Sequence, residues 1–118
     1  MSDPMPFNTY FKELHAVEHQ GDAREESFYP ALAAMLKAVA EGTGRKDISV
    51  TTQPRPTDAG NPDFRLWNGA DRIIGYVEAK RPDVELDAVE TSEQLTRYRM
   101  TFPNLILTNF FEFRLYRN

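Results

Sequence analysis

The sequence contains no cysteine. Disulfides, zinc–thiolate centres and cysteine nucleophiles are thereby excluded, and a cytoplasmic setting is the natural expectation. No apolar run approaches the roughly 20 residues that a membrane span needs. The polar, acidic N-terminus does not read as a signal peptide. There is no internal repeat and no low-complexity tail. Basic charge is also short: 14 Lys and Arg against 18 Asp and Glu leave a formal net charge of -4. A broad basic surface for nucleic acid is therefore not expected. A site that gathers carboxylates around a cation would answer this objection, because local charge then matters more than net charge.

What is present suits one compact domain with a modest core: 118 residues, 41% of them hydrophobic. Residues 7–19 carry Phe7, Tyr10, Phe11, Leu14 and Val17 at helical spacing, with Gly21 as a stop signal. A second helix is expected over 24–41, with Phe28, Leu32, Leu36 and Val39 along one stripe. Pro30 requires that the regular helix either begin near it or kink there. Strands are expected at 47–53, 63–67 and 72–80. Asp58-Ala59-Gly60-Asn61-Pro62 is turn chemistry, and Asn68-Gly69 signals a hairpin between the second and third strands. A polar helix at about 87–100 precedes strands at 104–108 and 111–116, which a turn at Asn109-Phe110 joins.

The order α-α-β-β-β-α-β-β describes an α/β fold, a mixed five-stranded sheet flanked by helices. The hairpin makes the second and third strands antiparallel. The helix at 87–100 is long enough for a crossover to a parallel neighbour. An N-terminal helical segment, 1–21, is expected to precede a core over 22–118.

One constellation carries chemistry. Asp63 opens the second strand after Pro62, and Glu78 and Lys80 lie two apart near the end of the third. Alternate strand residues share a face, so Glu78 and Lys80 point together and Ala79 points away. The hairpin folds Asp63 back toward them. Two carboxylates and a lysine suit metal-assisted phosphodiester hydrolysis. Mg²⁺ takes hard oxygen ligands and keeps several waters, so one or two carboxylates suffice. A lysine beside it can orient water or offset developing charge.

Plainer readings stand beside this one. Asp63 alone is an ordinary turn residue, and Glu78 with Lys80 would make a structural ion pair. Asp22-Ala23-Arg24-Glu25 fits a helix start in which Glu25 reaches back to the first amide; Glu26 is its rival for any functional role. Tyr98 reads as a core residue first and Gln94 as the better functional candidate. His15-Ala16-Val17-Glu18-His19 matches the H-x-x-E-H form of some zinc peptidases. Both histidines fall off the apolar stripe and no third ligand is evident, so a solvated helix face is expected. Arg65, Arg72, Arg81, Arg97 and Arg99 surround the constellation in sequence and can neutralise phosphates; for each singly, ordinary surface charge is the simpler reading.

Pro62-Asp63 followed by Glu78-Ala79-Lys80 on a hairpin resembles the PD-(D/E)xK motif of restriction-endonuclease-like nucleases. Glu25, ahead of Phe28-Tyr29-Pro30-Ala31-Leu32, is similar to a helical glutamate of that superfamily. Gln94-Leu95-Thr96-Arg97-Tyr98 is similar to its Gln-x-x-x-Tyr element. The resemblance spans about residues 22–118 and implies a restriction-endonuclease-like core that cleaves DNA with Mg²⁺, for which Mn²⁺ can substitute. It implies Asp63 and Glu78 as metal ligands with the Ala79 carbonyl, Glu25 through water, Lys80 at the attacking water and Gln94 at the backbone or the metal's waters. The wording of residues 62–118 further resembles nuclease domains at the N-terminus of large restriction–modification polypeptides. In those, methyltransferase and sometimes motor regions follow; the chain stops after its last expected strand, as an excised domain would and as a natural small protein could too. Such nucleases often pair to cut both strands, although no dimer surface is legible. The alternative is a catalytically inactive nuclease-like domain used for DNA binding or docking.

Overall fold

The computed structural model describes residues 6–117. Residues 1–5 and 118, the outermost parts of the expected segments 1–21 and 22–118, lie outside the described residues. Helix α1 spans Pro6–Glu18 and buries Tyr10 and Leu14. These two are one turn apart, so they share a face. Phe7 and Phe11, expected on the same stripe, are exposed instead.

Helix α2 spans Tyr29–Gly42 and follows a single 3-10 turn at Glu25–Phe28. Pro30 falls in the first turn of α2, where its missing N–H costs nothing. The helix expected from residue 24 is thus regular only from Tyr29. The Ser27 hydroxyl accepts the Arg24 amide at 3.0 Å, so Ser27 takes the capping role considered for Glu25.

The five strands are β1 (Ser49–Thr52), β2 (Phe64–Trp67), β3 (Ile73–Ala79), β4 (Asn104–Thr108) and β5 (Phe113–Arg117). They lie in one sheet in chain order. Pairing is antiparallel throughout except between β3 and β4, which are parallel. That parallel pair needs the crossover expected after β3. The crossover is two helices rather than one: α3 (Leu86–Glu90) and α4 (Glu93–Thr101). The break has a local cause. Ser92 caps α4, its hydroxyl accepting the Leu95 amide at 3.2 Å, and a serine that bonds the backbone this way favours a helix start over a helix interior.

The β2–β3 hairpin forms, but not through a two-residue turn. The loop runs from Asn68 to Arg72, closed by the Asn68 amide on the Arg72 carbonyl. The Asn68 side-chain oxygen accepts the amides of Ala70, Asp71 and Arg72. The β4–β5 connection uses the same device: Asn109 accepts the amides of Phe111 and Glu112. Gly75 is required where β3 meets β4, because a Cβ there would lie 2.8 Å from the Asn104 carbonyl oxygen.

Two cores sandwich the sheet. On one face Phe64, Val77 and Ala79 pack with Tyr10, Leu14, Phe28, Tyr29, Leu32 and Met35 of the first helices. On the other, Tyr76, Leu105 and Leu107 pack with Leu86, Leu95, Tyr98 and Phe102. Strand β3 is central and buried from Gly75 to Ala79. It serves both cores by alternation, and Glu78 is the charged residue inside that buried stretch. Among the described residues, no helix is long and apolar enough to cross a membrane.

Candidate active site

The hairpin register fixes the site. Phe64 pairs with Val77, and the Asp63 amide donates to the Val77 carbonyl at 3.0 Å. One step further along the ladder, Asp63 stands opposite Glu78. The Asp63 carboxylate also extends the ladder itself: its Oδ2 accepts the Ala79 amide at 2.7 Å. A turn aspartate has thereby become a fixed group at the open end of two strands.

The other Asp63 oxygen, Oδ1, accepts the Tyr29 hydroxyl at 2.7 Å. The same hydroxyl lies 3.0 Å from Glu25 Oε1. Tyr29 is buried, its ring edge-on to Phe64 with centroids 4.8 Å apart. A phenol carries one proton, so it can donate to only one of the two carboxylates at a time. Glu25 is half-buried, and its carboxyl is raised above the ordinary range chiefly by that burial. Burial, then the bonds to Asp63, likewise raises the Tyr29 phenol.

Glu78 is the most perturbed carboxylate. Its side chain is 6% exposed. Oε2 meets the Lys80 ammonium at 3.2 Å, whereas Oε1 is shielded from solvent and has no hydrogen-bond partner. Burial and the neighbouring Asp63 charge push the Glu78 carboxyl up to about 8, against the opposing pull of Lys80. Lys80 is held from two further sides. Its amide donates to the Thr108 carbonyl at 2.8 Å, and its ammonium donates to Gln94 Oε1 at 3.3 Å. Gln94 extends to the Tyr98 hydroxyl at 3.5 Å. Tyr98 is fully buried, and the loop before Asp63 packs on it closely enough that a Cβ at Gly60 would lie 3.0 Å from its hydroxyl.

Asp63, Glu78, Lys80, Glu25 and Gln94 therefore sit in one connected network, with Ala79 bonded into it through its amide. Glu26 is exposed and outside it. His15 on α1 and His19 just beyond its end are both exposed. Tyr29 is the member that the sequence reading did not single out. The clue available was its place one helical turn after Glu25. Three carboxylates against one ammonium leave an excess of negative charge in a partly buried place, an environment suited to a divalent cation. Among the described residues, no three His, Asp or Glu side chains are grouped to hold a metal unaided. Water and a backbone carbonyl would have to complete any coordination shell, as is usual for Mg²⁺. The orphaned, buried Glu78 oxygen beside Asp63 fits such an ion.

No protein-family model matches the chain, and neither does any curated protein. The chain is similar to a solved structure, described as a cryoEM structure of a DrdV–DNA complex. The TM-score is 0.67 and the identity 25%, over 88% of this chain and 73% of that one. The mixed five-stranded sheet flanked by helices is the restriction-endonuclease-like α/β core expected from the sequence.

Proposed function

We propose that this domain hydrolyses DNA phosphodiester bonds with the help of a divalent cation, Mg²⁺ by preference and Mn²⁺ as a substitute. The observation that carries the reading is the Glu78 carboxylate, buried beside Asp63 with one oxygen lacking a partner. The hairpin register and the likeness to a chain solved in a DNA complex support it. Asp63 and Glu78 would hold the cation, with the Ala79 carbonyl as a further ligand and Glu25 acting through water. When bound, the cation supplies Lewis-acid polarisation of the scissile phosphate and neutralises part of its charge.

The chain's own groups do the rest. The Ala79 amide and the Tyr29 hydroxyl fix the Asp63 carboxylate. Lys80, steadied by Gln94 and Glu78, presents N–H donors where an attacking water or a developing phosphorane charge would lie. Gln94 orients that ammonium and its hydration. In this reading residues 22–118 form the cleavage unit of a cytoplasmic restriction–modification polypeptide. Methyltransferase or motor regions would be its partners, and pairing of two copies would cut both strands.

Plasmid nicking with Mg²⁺ or Mn²⁺ tests the assignment, comparing the native chain with Asp63→Ala and Lys80→Ala. Loss of nicking in both variants is expected, and undiminished cleavage in both would sink it. A second reading, an inert nuclease-like domain for DNA binding or docking, is favoured by one observation: Lys80 already satisfies Glu78 Oε2. Calorimetry that found no Mg²⁺ or Mn²⁺ uptake, together with retained DNA binding, would select it.

A further inference from the structure

Among the described residues two buried side-chain atoms lack a hydrogen-bond partner, and they lie on neighbouring strands. One is Glu78 Oε1, already placed in the site. The other is Arg65 Nε on β2. Arg65 pairs across the hairpin with Tyr76, two residues before Glu78 on β3. Two residues along a strand are about 6.6 Å and return to the same face. Arg65 and Glu78 thus belong to one side of the sheet, the side on which α3 and α4 pack.

Those helices cover only part of that side. The core beneath them is drawn from β3 and β4 and includes no residue of β1 or β2. The uncovered remainder carries Thr51, Arg65 and Trp67, each half-buried. The Arg65 guanidinium lies 4.5 Å from the centre of the Trp67 ring. The Trp67 indole N–H donates to the Thr51 hydroxyl at 3.0 Å, and Arg65 Nη2 reaches the same oxygen at 3.4 Å. Thr51 Oγ1 accepts both, which leaves its own proton for an outside acceptor.

Arg65 differs from the other arginines of the chain that are tied down. Arg45, Arg81, Arg97 and Arg114 each meet a carboxylate. Arg65 is half-buried, meets none, and uses one of its five N–H donors in a single long bond. A guanidinium stacked on an indole is oriented and partly dehydrated, and its planar fork suits an oxyanion such as phosphate.

We propose that Arg65, with Thr51 and the Trp67 shelf beneath it, binds one backbone phosphate of a DNA strand that lies across the uncovered β1–β2 face on its way to the site. The inference rests on the DNA-cleaving reading for its ligand, but it concerns binding rather than chemistry, so the two can fail separately. It also answers the adverse net charge locally, with one arginine left without an acid where the strand must pass.

The test is DNA affinity of the full 118-residue chain, followed by fluorescence anisotropy of a labelled duplex in EDTA over a series of salt concentrations. Each phosphate contact contributes about 0.9 to the slope of log affinity against log salt. Arg65→Ala should lower that slope by about one contact and weaken binding several-fold on every sequence tried. Arg65→Lys should restore most of the slope, and Thr51→Val should weaken binding with the slope kept. Circular dichroism melting of each variant controls for folding. An unchanged slope in Arg65→Ala would overturn the proposal, as would a native chain that binds no duplex. Asp63→Ala separates the two ideas. If native chain and Asp63→Ala bind DNA alike but neither cleaves with metal present, the hydrolytic reading fails while the Arg65 slope still decides the shelf.

Discussion

Two clusters in this molecule have the same formal make-up, three carboxylates around one cation, and opposite character. The first is Arg114 on β5. Its Nε meets Glu112 at 2.7 Å, its Nη1 meets Glu90 at 2.8 Å and its Nη2 meets Asp87 at 2.7 Å. The Tyr116 hydroxyl takes the other Glu90 oxygen at 2.6 Å. Two of its acids are open to water, Asp87 at 86% and Glu112 at 50% side-chain exposure, and Glu90 is partly open at 32%. The second cluster is Glu25, Asp63 and Glu78 around Lys80. There Tyr29 offers one proton to two acids, and Glu78 keeps a buried oxygen with no partner. Charge count does not separate the two. Satisfaction and burial do: the Arg114 cluster is complete as it stands, and the Lys80 cluster is complete only with something added.

The largest effects should therefore fall on the incomplete cluster. Lys80→Ala or Asp63→Ala is expected to reduce metal-dependent DNA cleavage by about 10²–10³-fold, the size seen when one preorganised charge-stabilising group is removed from an active site. Nicking rates normalised to folded protein measure this. If Arg114→Ala lowered the rate as far, the distinction between the clusters would collapse.

Next in size is a pH effect on the metal-free protein. The Glu78 carboxyl is raised from its ordinary value of 4.5 to about 8 in the folded state. The folded chain then holds a proton that the unfolded chain releases, so stability is full below about pH 4.5 and is lost as pH rises through about 8. The melting temperature in EDTA should fall over that window, and Glu78→Gln should flatten the fall. On the proposed metal-binding reading, added Mg²⁺ should raise the melting temperature most at the alkaline end, where the Glu78 carboxyl is already ionised. A flat native profile in EDTA would show that Glu78 is not strained in this way.

Most of the fold was legible because period, turns and spacing act locally. The 104–108 strand lies where apolar spacing put it, and the parallel β3–β4 pair follows from the crossover length. The misses have local causes of another kind. Ser92 divides the expected 87–100 helix through a side-chain bond that hydrophobic spacing does not register. Asn68 closes a five-residue loop with three amides on one oxygen, where the Asn-Gly pair suggested a two-residue turn. At the site, Glu78 and Lys80 could be grouped from strand phase alone. Asp63 needed the hairpin register as well. Tyr29 could not be assigned from sequence, because its role depends on a packing angle against Phe64 that carries its hydroxyl between two distant acids.

A smaller effect is expected at that tyrosine. Tyr29→Phe removes the shared proton and keeps the ring on Phe64. Asp63 then keeps the Ala79 amide but loses its second anchor. Groups that orient a metal ligand are typically worth 10–100-fold in metal affinity, and a value of about tenfold, read as Mn²⁺ affinity by calorimetry, is expected here. The change should appear in binding more than in the cleavage rate at saturating metal. An unaltered affinity would mean that the Ala79 amide alone suffices to hold Asp63.

The smallest effect is expected from Arg114→Ala, and it closes the comparison from the other side. Two of its partners lie largely in water and the third, Glu90, keeps about a third of its side chain exposed, so these ion pairs are screened and weak. The lost contacts should give a slight fall in melting temperature that shrinks further in high salt. The three acids freed by the substitution can each be hydrated in place, so no buried charge is stranded. That is the difference from Lys80, whose removal would leave the Glu78 carboxylate at 6% exposure with neither oxygen partnered. In the metal-free protein Lys80→Ala should consequently keep the Glu78 proton bound to higher pH than in the native chain, because the ammonium that pulls the carboxyl down is gone. The fall in melting temperature with rising pH should then continue further into the alkaline range than in the native chain, and Arg114→Ala should leave the native profile unchanged.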